Sequence, residues 1–400
     1  MSEGDANRWT PFRPTADDLK AIAGDVAEIT NIQPRLVDKC KALRVPDRVA
    51  HQYQIAGSKV LLRIADEVPV ALKGIGLFEP GAEHRGIGRI STGLGTPHIE
   101  TNPDFLGAMM AFRTRDGQRV DFLGINDPTS PTDNHRDFVS VLHATGESAG
   151  TEIPLVGDWG AYHLGNLAVE QTAFGLALSA RLGLSKAAKT LAHIVKQTLR
   201  TFASSTAYQT YWTGVVEIGG NAGKFTLVPT RDENKHPGFR PGEFHLTEEW
   251  RRRQRAGDIE FLLYWIPFLS ELETPLTTLT QAWQQEHKQR VGTITFPQTD
   301  SESDEARLWA ILASEMGANP ANYVHDERNT IKEPATQFET ARMIAYRMSQ
   351  EGRGALDPQR YESVFETGRI SAELAQELLR RRQEKETAGH VSWAWDRAGK

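Results

Sequence analysis

The stretch QFETARMIAYRMSQEGRG, residues 337–354, places an arginine, a tyrosine and a second arginine at helical spacing. Apolar and small residues recur through it with the helical period, which predicts a helix that begins near Thr336. Arg342 precedes Tyr346 by four residues and Arg353 follows it by seven, so the three side chains share one helix face. A guanidinium beside a phenol can stabilise the phenolate that a metal ion would bind. The same spacing also suits an exposed cation–π pair with no chemical role.

Three short patches in the first third of the chain carry side chains suited to acid–base chemistry. They are RVAH, which runs from Arg48 to His51, RIS, which runs from Arg89 to Ser91, and DFLGINDP, which contains Asn126. A histidine, a hydroxyl and an amide held together by neighbouring strands could move a proton and orient a small polar substrate. Each patch alone is also typical of turns and of hydrogen-bonded structural residues.

The elements that must position these residues are mostly short strands. Five apolar or alternating runs precede residue 127, among them KVLLRIADE, VALKGIGLFE and a hairpin around Asp116-Gly117, and four more follow residue 210. An Ala- and Leu-rich helical segment from Asp158 to Phe202 lies between the two groups, and helices close the chain. Short connections favour antiparallel pairing, and about eight such strands avoid exposed edges by closing into a barrel. The pattern predicts an α+β protein with an antiparallel eight-stranded β-barrel and surrounding helices.

The amino-acid composition limits which partners and which cellular compartment we expect for the protein. The 400 residues carry a net charge of −6, and no stretch is both basic and rich in aromatic residues, so we expect no nucleic-acid partner. Cys40 is the single cysteine, which excludes an intrachain disulfide and a multi-cysteine metal site. No run reaches the ~18 apolar residues of a membrane span, and the polar first residues contain no apolar signal core. We therefore expect a soluble, cytoplasmic protein without a membrane span.

Together and in this order, the patches resemble the monofunctional haem catalases and their smaller catalase-related relatives. That family carries an Arg three residues before its distal His, an Arg-x-Ser on a later strand, and an Asp-x-x-x-x-Asn-x-Pro run. It also carries an Arg-x-x-x-Tyr helix with another Arg seven residues later. The resemblance implies a catalase-like, haem-binding domain over residues 40–355 with haem b, an iron porphyrin, as cofactor. An N-terminal arm and helix over 1–39 and C-terminal helices and a tail over 356–400 would flank it.

The resemblance also implies roles for individual residues. His51 would be the distal acid–base group, Asn126 the distal amide, and Ser91 the hydroxyl behind His51. Tyr346 would be the metal ligand, with Arg342 as its partner. The haem propionates would be held by Arg48, Arg89 and Arg353.

The sequence departs from the family at several points around the distal side. The family's Gly-rich run after the distal His is replaced by QYQIA, and its Thr-Pro and phenylalanine pair by Asp127-Pro128 and TSPT. Phe138 is expected to take over a stacking role against the haem. Asp104 is a candidate for a carboxylate in the substrate channel. These departures favour a small catalase-related enzyme over an efficient hydrogen peroxide dismutase.

Three functions follow as hypotheses. The first is a haem enzyme that acts on hydrogen peroxide as a catalase or peroxidase. The second keeps the haem and takes an organic, fatty-acid hydroperoxide, or performs another specialised oxidation. The third is a non-catalytic barrel that binds haem or another apolar ligand. A homo-oligomer is compatible with each, and His84 or His98 could replace His51 if the strand register differs.

Overall fold

The barrel is the central element of the fold. The computed structural model describes residues 10, 12–40, 48, 50–51, 53–93, 100, 104–148, 172–199, 206–230, 245–320 and 335–387. In this part of the chain eight antiparallel strands form a closed barrel in which each strand pairs with its neighbours in sequence and the first pairs with the last. The strands are β1 (Gln54–Ile64), β2 (Glu83–Thr92), β3 (Leu106–Arg113), β4 (Arg119–Ile125), β5 (Tyr211–Ile218), β6 (Asn221–Pro229), β7 (Ile259–Pro267) and β8 (Gln289–Phe296). The predicted antiparallel eight-stranded barrel is confirmed.

Helices surround the barrel on its outside. They are α1 (Ala16–Val26), α2 (Ile29–Cys40), α3 (His135–Ser148), α4 (Leu184–Leu199), α5 (His245–Ala256), α6 (Asp304–Glu315), α7 (Gln337–Gly352), α8 (Glu362–Thr367) and α9 (Ala372–Thr387). Residues 172–182 are also helical. None of these helices is both long and apolar enough to cross a membrane.

The interior of the barrel is filled by side chains. Inward-facing residues such as Phe112, Phe122 and Phe225 have no exposed surface, and the rings of Phe122 and Phe225 meet edge to face at 4.9 Å. Because successive residues of a strand face opposite sides, the intervening residues, such as Met109 and Leu123, form the outer face. A ligand therefore has room outside the barrel, between its outer face and the helices.

The run VALKGIGLFE is not a strand, contrary to the sequence prediction. It forms turns, with positive φ angles at Gly74 (75°) and Gly76 (57°) that other residues rarely adopt. Its apolar side chains are nevertheless buried, because Leu72, Leu77 and Phe78 pack against the barrel core. The part of the chain before residue 127 therefore contributes four strands to the barrel, where the sequence predicted five.

The N-terminal helices pack against α3 and α7 through one apolar cluster. Its members include Ile22 of α1, Ile29 of α2, Val139 of α3 and Ala341 of α7. The division into segments 1–39, 40–355 and 356–400 stays a prediction.

Candidate functional site

Helix α7 presents the arginine and the tyrosine with which the sequence analysis began. The helix begins at Gln337, and the hydroxyl of its N-cap residue Thr336 accepts a hydrogen bond from the N–H of Glu339 at 3.2 Å. The guanidinium carbon of Arg342 lies 5.8 Å from the centre of the Tyr346 ring. The predicted pair on one helix face is therefore present.

Glu339 is a third member of this group. Nη1 of Arg342 donates to both carboxylate oxygens of Glu339, at 3.0 and 2.8 Å, and Glu339 is 5% exposed. Burial alone would lower the pKa of Arg342, but the charge of Glu339 outweighs it and holds that pKa above its ordinary value. A Cβ added to Gly214 of β5 would lie 2.5 Å from Cδ of Glu339, so the ion pair packs directly on the strand backbone.

His51 enters the site just before β1 in a constrained conformation. Its φ of 57° is unusual for a residue other than glycine. Main-chain hydrogen bonds hold this geometry, because its N–H donates to the carbonyl of Gly93 at 3.0 Å and Arg89 donates to its carbonyl at 2.7 Å. Nδ1 of the ring lies 3.3 Å from Oγ of Ser91. The ring rests on Gly107 of β3, where a Cβ would lie 2.5 Å from its Cε1.

The surroundings keep the His51 imidazole neutral. Burial, together with the positive charges of Arg89, Arg342 and Arg48, lowers its pKa from the ordinary 6.5 to about 3. A hydrogen bond involving Thr92 acts in the opposite direction but is outweighed. At neutral pH the ring can therefore accept a proton.

The three arginines proposed for propionate binding all donate to uncharged oxygens of the protein. Arg48 and Arg353 both donate to the carbonyl of Ser314, and Arg353 also donates to that of Met316 at 2.7 Å. Arg89 donates from Nε to the side-chain carbonyl of Gln54 at 3.0 Å. These bonds fix the guanidinium groups without neutralising their charge.

One cavity connects these groups. It has a volume of about 460 Å³ and lies between the outer face of β2–β6 and helix α7, with residues of α1–α4 along its sides. Aliphatic and aromatic side chains form most of its wall. Eight of the nine predicted site residues line it: Arg48, His51, Arg89, Ser91, Phe138, Arg342, Tyr346 and Arg353.

Asn126 is the predicted residue that the structure does not bring to the cavity wall. Its Oδ1 accepts from the N–H of Leu106 at 2.7 Å, and its Nδ2 donates to Oε1 of Gln209 at 3.3 Å. Both ends of the amide are thus used to fix the end of β4, while the preceding residue, Ile125, lines the cavity. Its assignment as the distal amide stays a prediction.

The other candidates from the sequence lie elsewhere. Nε2 of His84 bonds the carbonyl of Leu77 at 2.9 Å, and His84 does not line the cavity. Asp104 accepts from the N–H of Gly93 at 3.2 Å, so it anchors the chain beside the cavity without lining it. His98 lies outside the described residues.

Phe138 lies on α3 and contributes to the cavity wall. Its ring meets that of Phe338 edge to face at 5.8 Å, so two aromatic rings from α3 and α7 meet at this wall.

The sequence analysis missed three charged residues that line the cavity, Asp127, Glu339 and Lys224. The spacing of Glu339 and Arg342, three residues apart on a helix, was a usable signal. Lys224 follows a glycine in an otherwise ordinary strand, and nothing in the sequence distinguishes it. Among the residues described, no group of three or more His, Cys, Asp or Glu could hold a metal ion.

Comparison with protein-family models and with curated proteins gives no match. Solved structures do match. A fungal catalase superposes with a TM-score of 0.54 at 16% identity over 80% of this chain and 61% of its own. Catalase A from Saccharomyces cerevisiae superposes with a TM-score of 0.56 at 14% identity, over 80% of this chain and 63% of its own. The chain has the catalase fold.

A bacterial catalase shares the catalase fold with a TM-score of 0.53 at 18% identity, over 88% of this chain and 64% of its own. The chain thus spans less than two thirds of the length of each of these catalases. The match confirms the catalase-like fold that the motifs implied. At these identities it carries the fold alone, because one fold can support many activities.

Proposed function

We propose that this protein binds haem b in the cavity and acts there on a peroxide. The observation that carries the proposal is that His51, from the start of β1, and Tyr346, from α7, line the same cavity. These two residues lie 295 positions apart in the chain, from 51 to 346. The fold shared with catalases is compatible with this proposal.

The residues present fit the cofactor. The phenol oxygen of Tyr346 would ligate the iron, and Arg48, Arg89 and Arg353 would pair with the two propionates, whose charges need partners in an apolar cavity. Gly107 provides room at the opposite wall, since any Cβ there would displace the His51 ring. A haem iron held by a tyrosinate would supply the redox chemistry for cleaving the peroxide O–O bond.

His51 would move the proton of the peroxide. The ring is neutral, so its free nitrogen could accept a proton from one peroxide oxygen, and its low pKa would favour the return of that proton to the other oxygen. Ser91 lies at 3.3 Å from Nδ1, which fixes the ring orientation and leaves Nε2 for the substrate. Phe138 and Phe338 contribute an apolar wall that limits the access of water.

Arg342 and Glu339 would set the charge around Tyr346. The guanidinium carbon of Arg342 lies 5.8 Å from the centre of the Tyr346 ring, so a positive charge would stand beside the proposed ligand. Glu339 offsets part of this, because it holds the same guanidinium at 2.8 Å. We therefore expect the phenolate to depend on the iron as well as on Arg342.

The test is an absorption spectrum of the purified protein before and after addition of haem, followed by addition of hydrogen peroxide. We expect a ferric haem spectrum with a tyrosinate signature, and then evolution of oxygen or oxidation of an added donor. A protein that takes up no haem would contradict the proposal. Uptake of haem without any reaction with peroxide would instead support the non-catalytic barrel.

The apolar wall favours a second candidate, conversion of an organic hydroperoxide. Helices α3 and α4 contribute Leu142, Leu191 and Ile194 to the cavity, which suits a substrate with a hydrocarbon substituent. Parallel assays with hydrogen peroxide and cumene hydroperoxide separate the candidates. Faster turnover of the organic substrate, without oxygen evolution, would favour the second one.

A further inference from the structure

Lys224 is a buried cation on the cavity wall. It lies on β6 and is 6% exposed. Its ammonium nitrogen lies 4.7 Å from the centre of the Trp283 ring, and within the described part of the chain no oxygen accepts a hydrogen bond from it. The charged groups that face it are Glu339 and Arg342 of α7. Both oxygens of Glu339 already accept from Arg342.

The position of Lys224 separates it from the arginines at the other end of the cavity. It lies beside Arg342, in the first half of α7, whereas Arg353 follows the end of that helix. Arg342 and Arg353 are eleven residues apart, which corresponds to about 16 Å along a helix. Apolar side chains line the cavity there as well, since Val215 is the partner of Lys224 in the strand register and Leu279 also lines the cavity.

A buried ammonium without an acceptor is unfavourable unless a partner satisfies it. The Trp283 ring supplies a part of the missing stabilisation. Burial lowers the pKa of Lys224 to about 8, so most of the side chains are charged at pH 7. The position thus calls for an anionic oxygen from a ligand.

We propose that Lys224 binds the carboxylate of an organic acid whose apolar chain lies along the cavity wall. A carboxylate fits better than a phosphate, because one ammonium offers a single charge and Glu339 would repel a dianion. The apolar neighbours Val215 and Leu279 would contact the chain of the acid. The inference rests on the proposed function only in identifying this acid with the substrate, since binding to Lys224 itself needs no haem.

The experiment compares decanoate with 1-decanol, which has the same chain without the carboxylate. Isothermal titration calorimetry at pH 7 measures both affinities for the wild-type protein and for Lys224→Met, which keeps the length of the side chain and removes its charge. We expect the wild type to prefer decanoate, and Lys224→Met to bind decanoate at least tenfold more weakly while its affinity for 1-decanol is unchanged.

A second measurement covers the case in which Lys224→Met does not fold. The wild type at pH 9.5, where the ammonium is mostly neutral, should lose its preference for decanoate. Equal affinity of the wild type for both compounds at pH 7, or an unchanged preference in Lys224→Met, would overturn the proposal and leave Lys224 as a countercharge to Glu339.

The result is distinguishable from the test of the proposed function. Binding of haem without a preference for decanoate would remove only the acid site. A preference for decanoate that depends on Lys224, in a protein that takes up no haem, would remove only the haem enzyme.

Discussion

A methyl group at Gly107 should displace the His51 ring without unfolding the barrel. In Gly107→Ala the new Cβ would lie 2.5 Å from Cε1 of His51 and 3.0 Å from Oγ of Ser91. Ordinary contacts begin near 3.4 Å, so the ring must move by about 1 Å. A displacement of this size at a reacting group lowers a rate by about 100-fold, whereas overpacking costs about 1–3 kcal/mol of stability.

The assay measures peroxide turnover per bound haem together with the melting temperature. We expect Gly107→Ala to retain haem and to lose about 100-fold in turnover. Gly24→Ala is the matched control, because nothing lies within 4 Å of a Cβ at that helical position. Full turnover in Gly107→Ala would refute the assignment of His51, and loss of haem would show that the Gly107 wall holds the cofactor itself.

Three further predictions concern single side chains. Tyr346→Phe should melt at the wild-type temperature but lack the tyrosinate haem spectrum, and an unchanged spectrum would remove Tyr346 as ligand. His51→Gln should bind haem yet consume peroxide at least 100-fold more slowly over pH 5–8, which stopped-flow absorbance measures. Glu100 accepts from the N–H groups of Leu246 at 2.5 Å and Thr247 at 2.9 Å, and burial raises its pKa to about 7. The folded protein then holds this proton more tightly than the unfolded chain does. The contribution of Glu100 to the free energy of unfolding is therefore complete below pH 4.5 and falls by about 3 kcal/mol as the pH rises to 7. Urea denaturation of the wild type and of Glu100→Gln at pH 5 and pH 8 tests this. The same difference in free energy of unfolding between the two proteins at both pH values would contradict it.

Much of the fold could be predicted from the sequence, because the local sequence patterns agree with the tertiary structure. The helix that carries Tyr346 was predicted from periodicity to begin near Thr336, and the structure places its start at Gln337. The hairpin at Asp116-Gly117 was predicted from turn chemistry, and Gly117 has a φ of 90° between β3 and β4. The alternation of apolar and polar residues, together with short connections, was then enough to predict a closed barrel.

Other features depend on tertiary contacts that a sequence does not display. The run containing Gly74 has the apolar content of a strand but uses it to pack against the barrel core from a set of turns. Helix α2 was missed because it contains Pro34, which usually ends a helix. Asn126 matches its motif, and its hydrogen bonds with Leu106 and Gln209 are contacts that no spacing rule could reveal.

The pocket wall combines the two ends of the chain, and this has a consequence for biosynthesis. Val26 and Ile29 from the first helices face the same space as Tyr346 and Arg353, and the barrel itself closes only when Leu61 pairs with Thr295. Chains emerge from the ribosome N-terminus first, and pairing over such separations is slow. The cavity is therefore incomplete until the chain has been synthesised through Arg353, so the haem that we propose could bind only after that point.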